Sequence, residues 1–170
     1  PFGEHSILIE WPQIISGKQL QDVLLYKSKL QNYKFKEKVY VKHAYNSILI
    51  TYSLSINNIY DEILLLKGIY SAKIDDVIFN SVLWKIPVCY NPEFGKDLEE
   101  ISLKNNITIS KIINLHSSAI YDVYFLGFLP GFLYLGGLDY KLHFPRKTSP
   151  RLKINKGSVA IGGTQTGVYP

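Results

Sequence analysis

The sequence predicts an α+β fold in two parts: an N-terminal domain over 1–90 in the order β-α-β-β-α-β, then a domain over 91–170 dominated by short strands and tight turns. Three observations predict it. Apolar residues in the first part switch between a period of two and a period near 3.6, the repeats of strand and helix. The turn-rich run Asn91-Pro92-Glu93-Phe94-Gly95 then interrupts the pattern. Beyond Tyr121, strand-like runs alternate with Gly and Pro.

Residues 5–11 place Ile7, Ile9 and Trp11 on one face of a strand. Ser16 with Gln19 forms a capping box, and Leu20, Val23, Leu24 and Leu30 follow at helical spacing. Residues 37–42 read as a strand through Val39 and Val41. Tyr45-Asn46-Ser47 is a turn, and Ile48, Ile50, Tyr52 and Leu54 continue as the third strand. Asn58 caps a second helix with Ile59, Ile63, Leu66 and Tyr70 as its apolar stripe. Val82, Trp84, Ile86 and Val88 alternate as a fourth strand, which Pro87 confines to an edge. This order is the ferredoxin-like arrangement of two split βαβ halves. In the second domain a short helix over 97–104 carries Asp97, Glu99 and Glu100 at its positive N-terminal end. Thr108 or Ser110 caps another helix, with Ile112, Ile113, Leu115 and His116, and 121–126 opens an all-β module.

Composition narrows the function. With 170 residues, 46% apolar and 14% aromatic, the chain can bury real cores. It holds no apolar run long enough to span a membrane, and its first residues lack the basic start and apolar stretch of a signal peptide. There is no initiator Met, and the expectation is a chain trimmed at both ends or a fragment. The single cysteine, Cys89, can form neither an internal disulfide nor a zinc site. A reducing cytoplasm is the simplest setting, and a buried thiol within the fourth strand the simplest role. The net charge of +5 gathers locally only over 141–156 and carries no nucleic-acid-binding motif. His5, His43, His116 and His143 are too dispersed for a metal site, and no Gly-x-x-x-x-Gly-Lys-Ser/Thr loop occurs.

The most specific segment is Phe125-Leu126-Gly127-Phe128-Leu129-Pro130-Gly131-Phe132-Leu133-Tyr134-Leu135-Gly136-Gly137-Leu138. It resembles the bacterial family known as the 5-oxoprolinase B subunit, allophanate hydrolase subunit 1 or sporulation kinase inhibitor. The likeness extends to Val88-Cys89-Tyr90, Glu93-Phe94-Gly95, Asp97-Leu98, Leu115-His116-Ser117, Pro145-Arg146 and Pro150-Arg151. It continues from Gly157-Ser158-Val159 to the end of the chain. The resemblance implies a cyclophilin-like β-barrel for 91–170, incomplete here because family members run on past Pro170. It implies two partners, a paralogous cyclophilin-like C-type subunit and a third, A-type subunit. It also implies ATP-driven opening of 5-oxo-L-proline to L-glutamate by the complex, with this chain inactive alone. ATP would bind largely on another subunit or at a shared interface. A rival reading is a regulatory protein that inhibits a sensor histidine kinase through the aromatic loop. Isolated prolyl isomerase activity rests on fold analogy alone.

Opening a stable lactam develops negative charge that cations and hydrogen-bond donors must meet. Arg146 and Arg151 each follow a proline, which stiffens their backbone, and a guanidinium grips a carboxylate or phosphate with two parallel bonds. The alternative is a loop clamped by ion pairs. His116 could shuttle a proton or be a satisfied helix residue. Phe128, Pro130, Gly131, Phe132 and Tyr134 form either a binding or docking surface or a tight strand corner. Gln165, in a Gly-flanked turn, could bond an amide substrate or its own turn. The expectation is one shared surface built from the aromatic corner and both arginines.

Overall fold

The computed structural model describes residues 1–73 and 81–170. The chain divides into two units, Pro1–Ser81 and Val82–Pro170. Both are α+β, and among the described residues each holds one antiparallel sheet.

In the first unit, β1 (Ser6–Glu10) leads into α1 (Gly17–Asn32), whose first turn is capped by the Ser16 hydroxyl accepting from the Gln19 N–H at 3.2 Å. The hairpin of β2 (Val39–His43) and β3 (Ser47–Tyr52) follows, and then α2 (Ile59–Ser71), capped by the Asn58 side chain. The sheet order is β1-β3-β2, with every pair antiparallel. The alternation in β3 turns Ile48, Ile50 and Tyr52 inward, where they meet Val23, Tyr26 and Leu30 of α1 and Leu66 and Ile69 of α2. Each such buried aliphatic side chain contributes about 1.5–3 kcal/mol. Tyr26 enters the core because its hydroxyl finds the Leu66 carbonyl at 2.9 Å, and burial pushes its phenol up to about 12. Tyr70, expected in the buried stripe, is exposed instead and donates to Asp22 at 2.8 Å.

The expected fourth strand does not form among the described residues. Residues 82–88 join no sheet, and Val82, Leu83, Trp84 (79% exposed), Ile86 and Val88 face solvent. Their alternation is that of a strand, but a strand needs a neighbouring edge as well as a pattern, and Pro87 removes one of the N–H groups that would hold it there. Cys89, expected to be buried with that strand, is consequently exposed.

The second unit starts with α3 (Leu98–Asn105) and α4 (Ile109–Ser118). Asn106, in the left-handed conformation (φ 52°), ends α3, and the Thr108 hydroxyl caps α4. Four strands then form a sheet in the order β4-β5-β7-β6: β4 (Asp122–Leu126), β5 (Leu133–Gly136), β6 (Val159–Gly162) and β7 (Gln165–Val168). Among the described residues this sheet is open, not a closed barrel; four strands of this length are too few to close one. A short 3₁₀ turn, Tyr140–Leu142, carries Leu142 into a core with Ile101, Ile112, Leu138 and Phe144. Among the described residues no helix is long and apolar enough to cross a membrane.

Candidate functional site

The aromatic corner joins β4 to β5. Phe128 has φ 62° and Gly131 φ 87°, so the chain reverses through two left-handed residues. For a phenylalanine that conformation is sterically unfavourable, and it turns the side chain outward: Phe128 is 73% exposed and Leu129 also faces solvent. Phe132 is turned inward, only 7% exposed. Its ring meets Tyr169 and Tyr134 edge-on, each at 4.8 Å between centroids, while Phe125 and Tyr134 stack at 4.2 Å. Gly167 makes room for the Phe132 ring, because a Cβ there would sit 2.6 Å from Cζ. The corner is therefore two things at once. Phe132 and Tyr134 lock the sheet, and Phe128 and Leu129 project from it beside the exposed Pro130.

The two arginines, indistinguishable in sequence, have different surroundings. Arg151 donates from Nη1 and Nη2 to the two carboxylate oxygens of Asp97, both at 2.7 Å. Lys147 Nζ reaches Asp97 Oδ1 and Glu100 Oε2, each at 2.9 Å. Burial alone would raise the Asp97 carboxyl, but Arg151 and Lys147 override it and hold it below the ordinary carboxylate range. Arg146 has no such partner: among the described residues it makes neither hydrogen bond nor ion pair. Its side chain lies across Gly162, whose missing Cβ would fall 3.3 Å from Nε. Gly162 pairs with Gln165 at the β6–β7 turn, so Arg146 and Gln165 share one end of the sheet.

The aromatic corner lies at the other end. Leu133 pairs with Val168, and Gly131 approaches Pro170, three or more residues along from Gln165. At about 3.4 Å per residue that separates the two groups by roughly 10 Å along β7. The structure thus brings together Arg146 with Gln165, and separately Phe128, Gly131, Phe132 and Tyr134, and it does not merge all of them into one surface.

His116 sits in the last turn of α4, half buried, its Nδ1 2.6 Å from the Tyr90 hydroxyl. Burial pushes its imidazole below the usual range, favouring the neutral ring. Tyr121 donates to its carbonyl at 2.9 Å, and burial raises the Tyr121 phenol to about 12. Sequence reasoning missed Asp97 as a partner, reading it as a helix-terminal charge, and gave no site role to Lys147, part of the basic run, or to Tyr90, part of the resembling segment. The one signal for Asp97 was its place beside Leu98 in the resemblance.

The second unit thus joins an open antiparallel sheet to two helices and carries a guanidinium, unpaired among the described residues, over the glycine turn at one end of that sheet. The chain belongs to the family of the carboxyltransferase domain, subdomain C and D, whose model matches residues 1–170. It is 49% identical over 96 residues to the 5-oxoprolinase B subunit of Bacillus subtilis, covering 56% of this chain and 40% of that protein. It is 50% identical over 86 residues to the Haemophilus influenzae protein of the same name, covering 51% of this chain and 40% of the relative. The matches thus span well under half the length of these relatives. The family resemblance read from the sequence is borne out. Among solved structures, the crystal structure of TTHA0988 matches 96% of this chain and 32% of its own, with a TM-score of 0.77 and 26% identity.

Proposed function

We propose that this protein serves as the B-type subunit of an ATP-dependent 5-oxoprolinase. It works with a paralogous C-type subunit and a third, A-type subunit to open 5-oxo-L-proline to L-glutamate in the cytoplasm. The observation that carries the reading is Arg146, a guanidinium unpaired among the described residues and laid over Gly162 next to Gln165, in a chain whose relatives are named as 5-oxoprolinase B subunits. The antiparallel order β1-β3-β2 with its two helices supports a ferredoxin-like first unit, and the open sheet supports part of a cyclophilin-like barrel in the second.

The substrate carries a carboxylate and a ring amide. Arg146 holds the carboxylate with paired hydrogen bonds, and Gln165 faces the amide, able both to donate and to accept. ATP supplies the driving force for breaking the stable C–N bond, and it binds mainly on another subunit. Phe128, Leu129 and Pro130 offer the C-type partner an apolar contact of the kind that anchors interfaces. His116, bonded to Tyr90, ties the chain before α3 to α4.

Co-expression of the protein with its candidate A-type and C-type partners tests this. Glutamate should form from 5-oxoproline only when all three and ATP are present. Absence of turnover in that mixture, together with inhibition of histidine-kinase autophosphorylation by this protein, would replace the enzyme reading with the regulatory one.

A further inference from the structure

We propose that Asp97 is the positioning residue of this site, fastening the loop over 145–151 so that Arg146 is held above the β6–β7 turn. This rests on reading Arg146 as the group that grips the substrate anion.

The geometry brackets Arg146 from both sides. Two residues before it, Phe144 is bridged to the turn: its N–H donates to the Gly163 carbonyl at 3.1 Å, and the Gly163 N–H donates back at 2.7 Å. Pro145 then restricts the step between. One residue after it, Lys147 is tied to Asp97 and Glu100, and Arg151 is tied to Asp97 by both arms of its fork. Asp97 therefore closes a loop that would otherwise be held by the Phe144–Gly163 bridge and the exposed Lys147–Glu100 ion pair, with nothing left on Arg151.

Asp97 also occupies the N-cap position of α3, where aspartate ordinarily bonds the first free N–H groups of its own helix, yet it makes no such bond. Both carboxylate oxygens point to the distant loop instead. Of the three cations the loop contributes between 146 and 151, Arg151 pairs with Asp97, Lys147 is shared between Asp97 and Glu100, and the third, Arg146, has no ion-pair partner among the described residues. An arginine that must receive an anion needs both a fixed backbone and an uncommitted charge, and this arrangement supplies both.

The experiment uses Asp97→Asn in the assembled complex. Asparagine keeps the residue's preference for a helix start while removing the charge, so the fold should survive, as circular dichroism will verify. KM for 5-oxoproline should rise about fivefold, the scale of a partly exposed ion pair, with kcat within about twofold. Tryptic cleavage after Lys147 and Arg151 should accelerate, and Asp97→Glu should restore both readouts. Unchanged cleavage in Asp97→Asn would overturn the clamp itself. Faster cleavage with an unchanged KM would overturn its positioning role. Arg146→Ala with an unchanged KM would instead sink the reading of Arg146, a result separable from the clamp because the cleavage measurement does not depend on substrate.

Discussion

Replacing Gly167 with alanine tests how the aromatic corner is built. The new Cβ would fall 2.6 Å from Phe132 Cζ, 3.0 Å from Cε1 and 2.9 Å from the Leu133 carbonyl oxygen. Ordinary contact between carbon atoms is about 3.5–4.0 Å, so the ring must move by about 1 Å. The carbonyl cannot move without spreading β5 from β7, where Tyr134 pairs with Gly167. Overpacking costs typically about 1–3 kcal/mol, and a clash with backbone belongs at the upper end, about 3 kcal/mol. For a unit of this size each kcal/mol lowers Tm by about 4–8 °C, so the variant should melt roughly 12 °C or more below the parent. Near-UV circular dichroism is the fitting probe, since it reports the packed Phe132, Tyr134 and Tyr169 rings. Phe132→Leu in the same chain removes the ring half of the clash, so the double variant should be more stable than the sum of the two single losses. A Gly167→Ala protein that melts within about 2 °C of the parent, or strict additivity, would refute the packing described.

Other perturbations follow from the same geometry. Leu142→Ala empties a fully buried position beside Ile112 and Phe144 and should cost about 3 kcal/mol in denaturant unfolding. Phe128→Gly relieves a left-handed phenylalanine that is largely exposed, so it should leave stability equal or about 1 kcal/mol higher while weakening co-purification with the C-type partner. For His116 the folded imidazole lies below its unfolded value, so between about pH 6.5 and that lower value the unfolded chain binds the extra proton. Stability should therefore fall as pH drops through this window, by at most about 1.4 kcal/mol per pH unit, and be unaffected above it. His116→Gln should flatten that slope in pH-dependent unfolding curves.

Much of the local structure was legible because it depends on neighbours in sequence. Ser16, Asn58 and Thr108 start helices by side-chain bonds to N–H groups two or three residues on, and β1, β2 and β3 show their inward faces as alternation. The 82–88 segment shows the limit of that reading. Alternation specifies which side of a strand is apolar and says nothing about whether an edge receives it. The site was legible by residue type and not by arrangement. Arg146 and Arg151 both follow proline, and what distinguishes them is Asp97, 54 residues before Arg151. Phe128 and Phe132 share a loop and a chemistry, and only the backbone conformation at Phe128 sends one outward and the other into the sheet. The expectation of a single shared surface failed for the same reason. It presumed proximity between Arg146 and the aromatic corner, which the register of β5, β6 and β7 sets at opposite ends.

The most direct measurement compares Arg146→Ala with Arg151→Ala in the reconstituted complex, following ATP-dependent glutamate formation from 5-oxoproline. If Arg146 alone meets the anion, kcat/KM should fall about 100-fold or more for Arg146→Ala and only about fivefold for Arg151→Ala, whose loss merely loosens the loop. Equal losses, or a greater loss at Arg151, would contradict the assignment of the free guanidinium as the substrate-holding group.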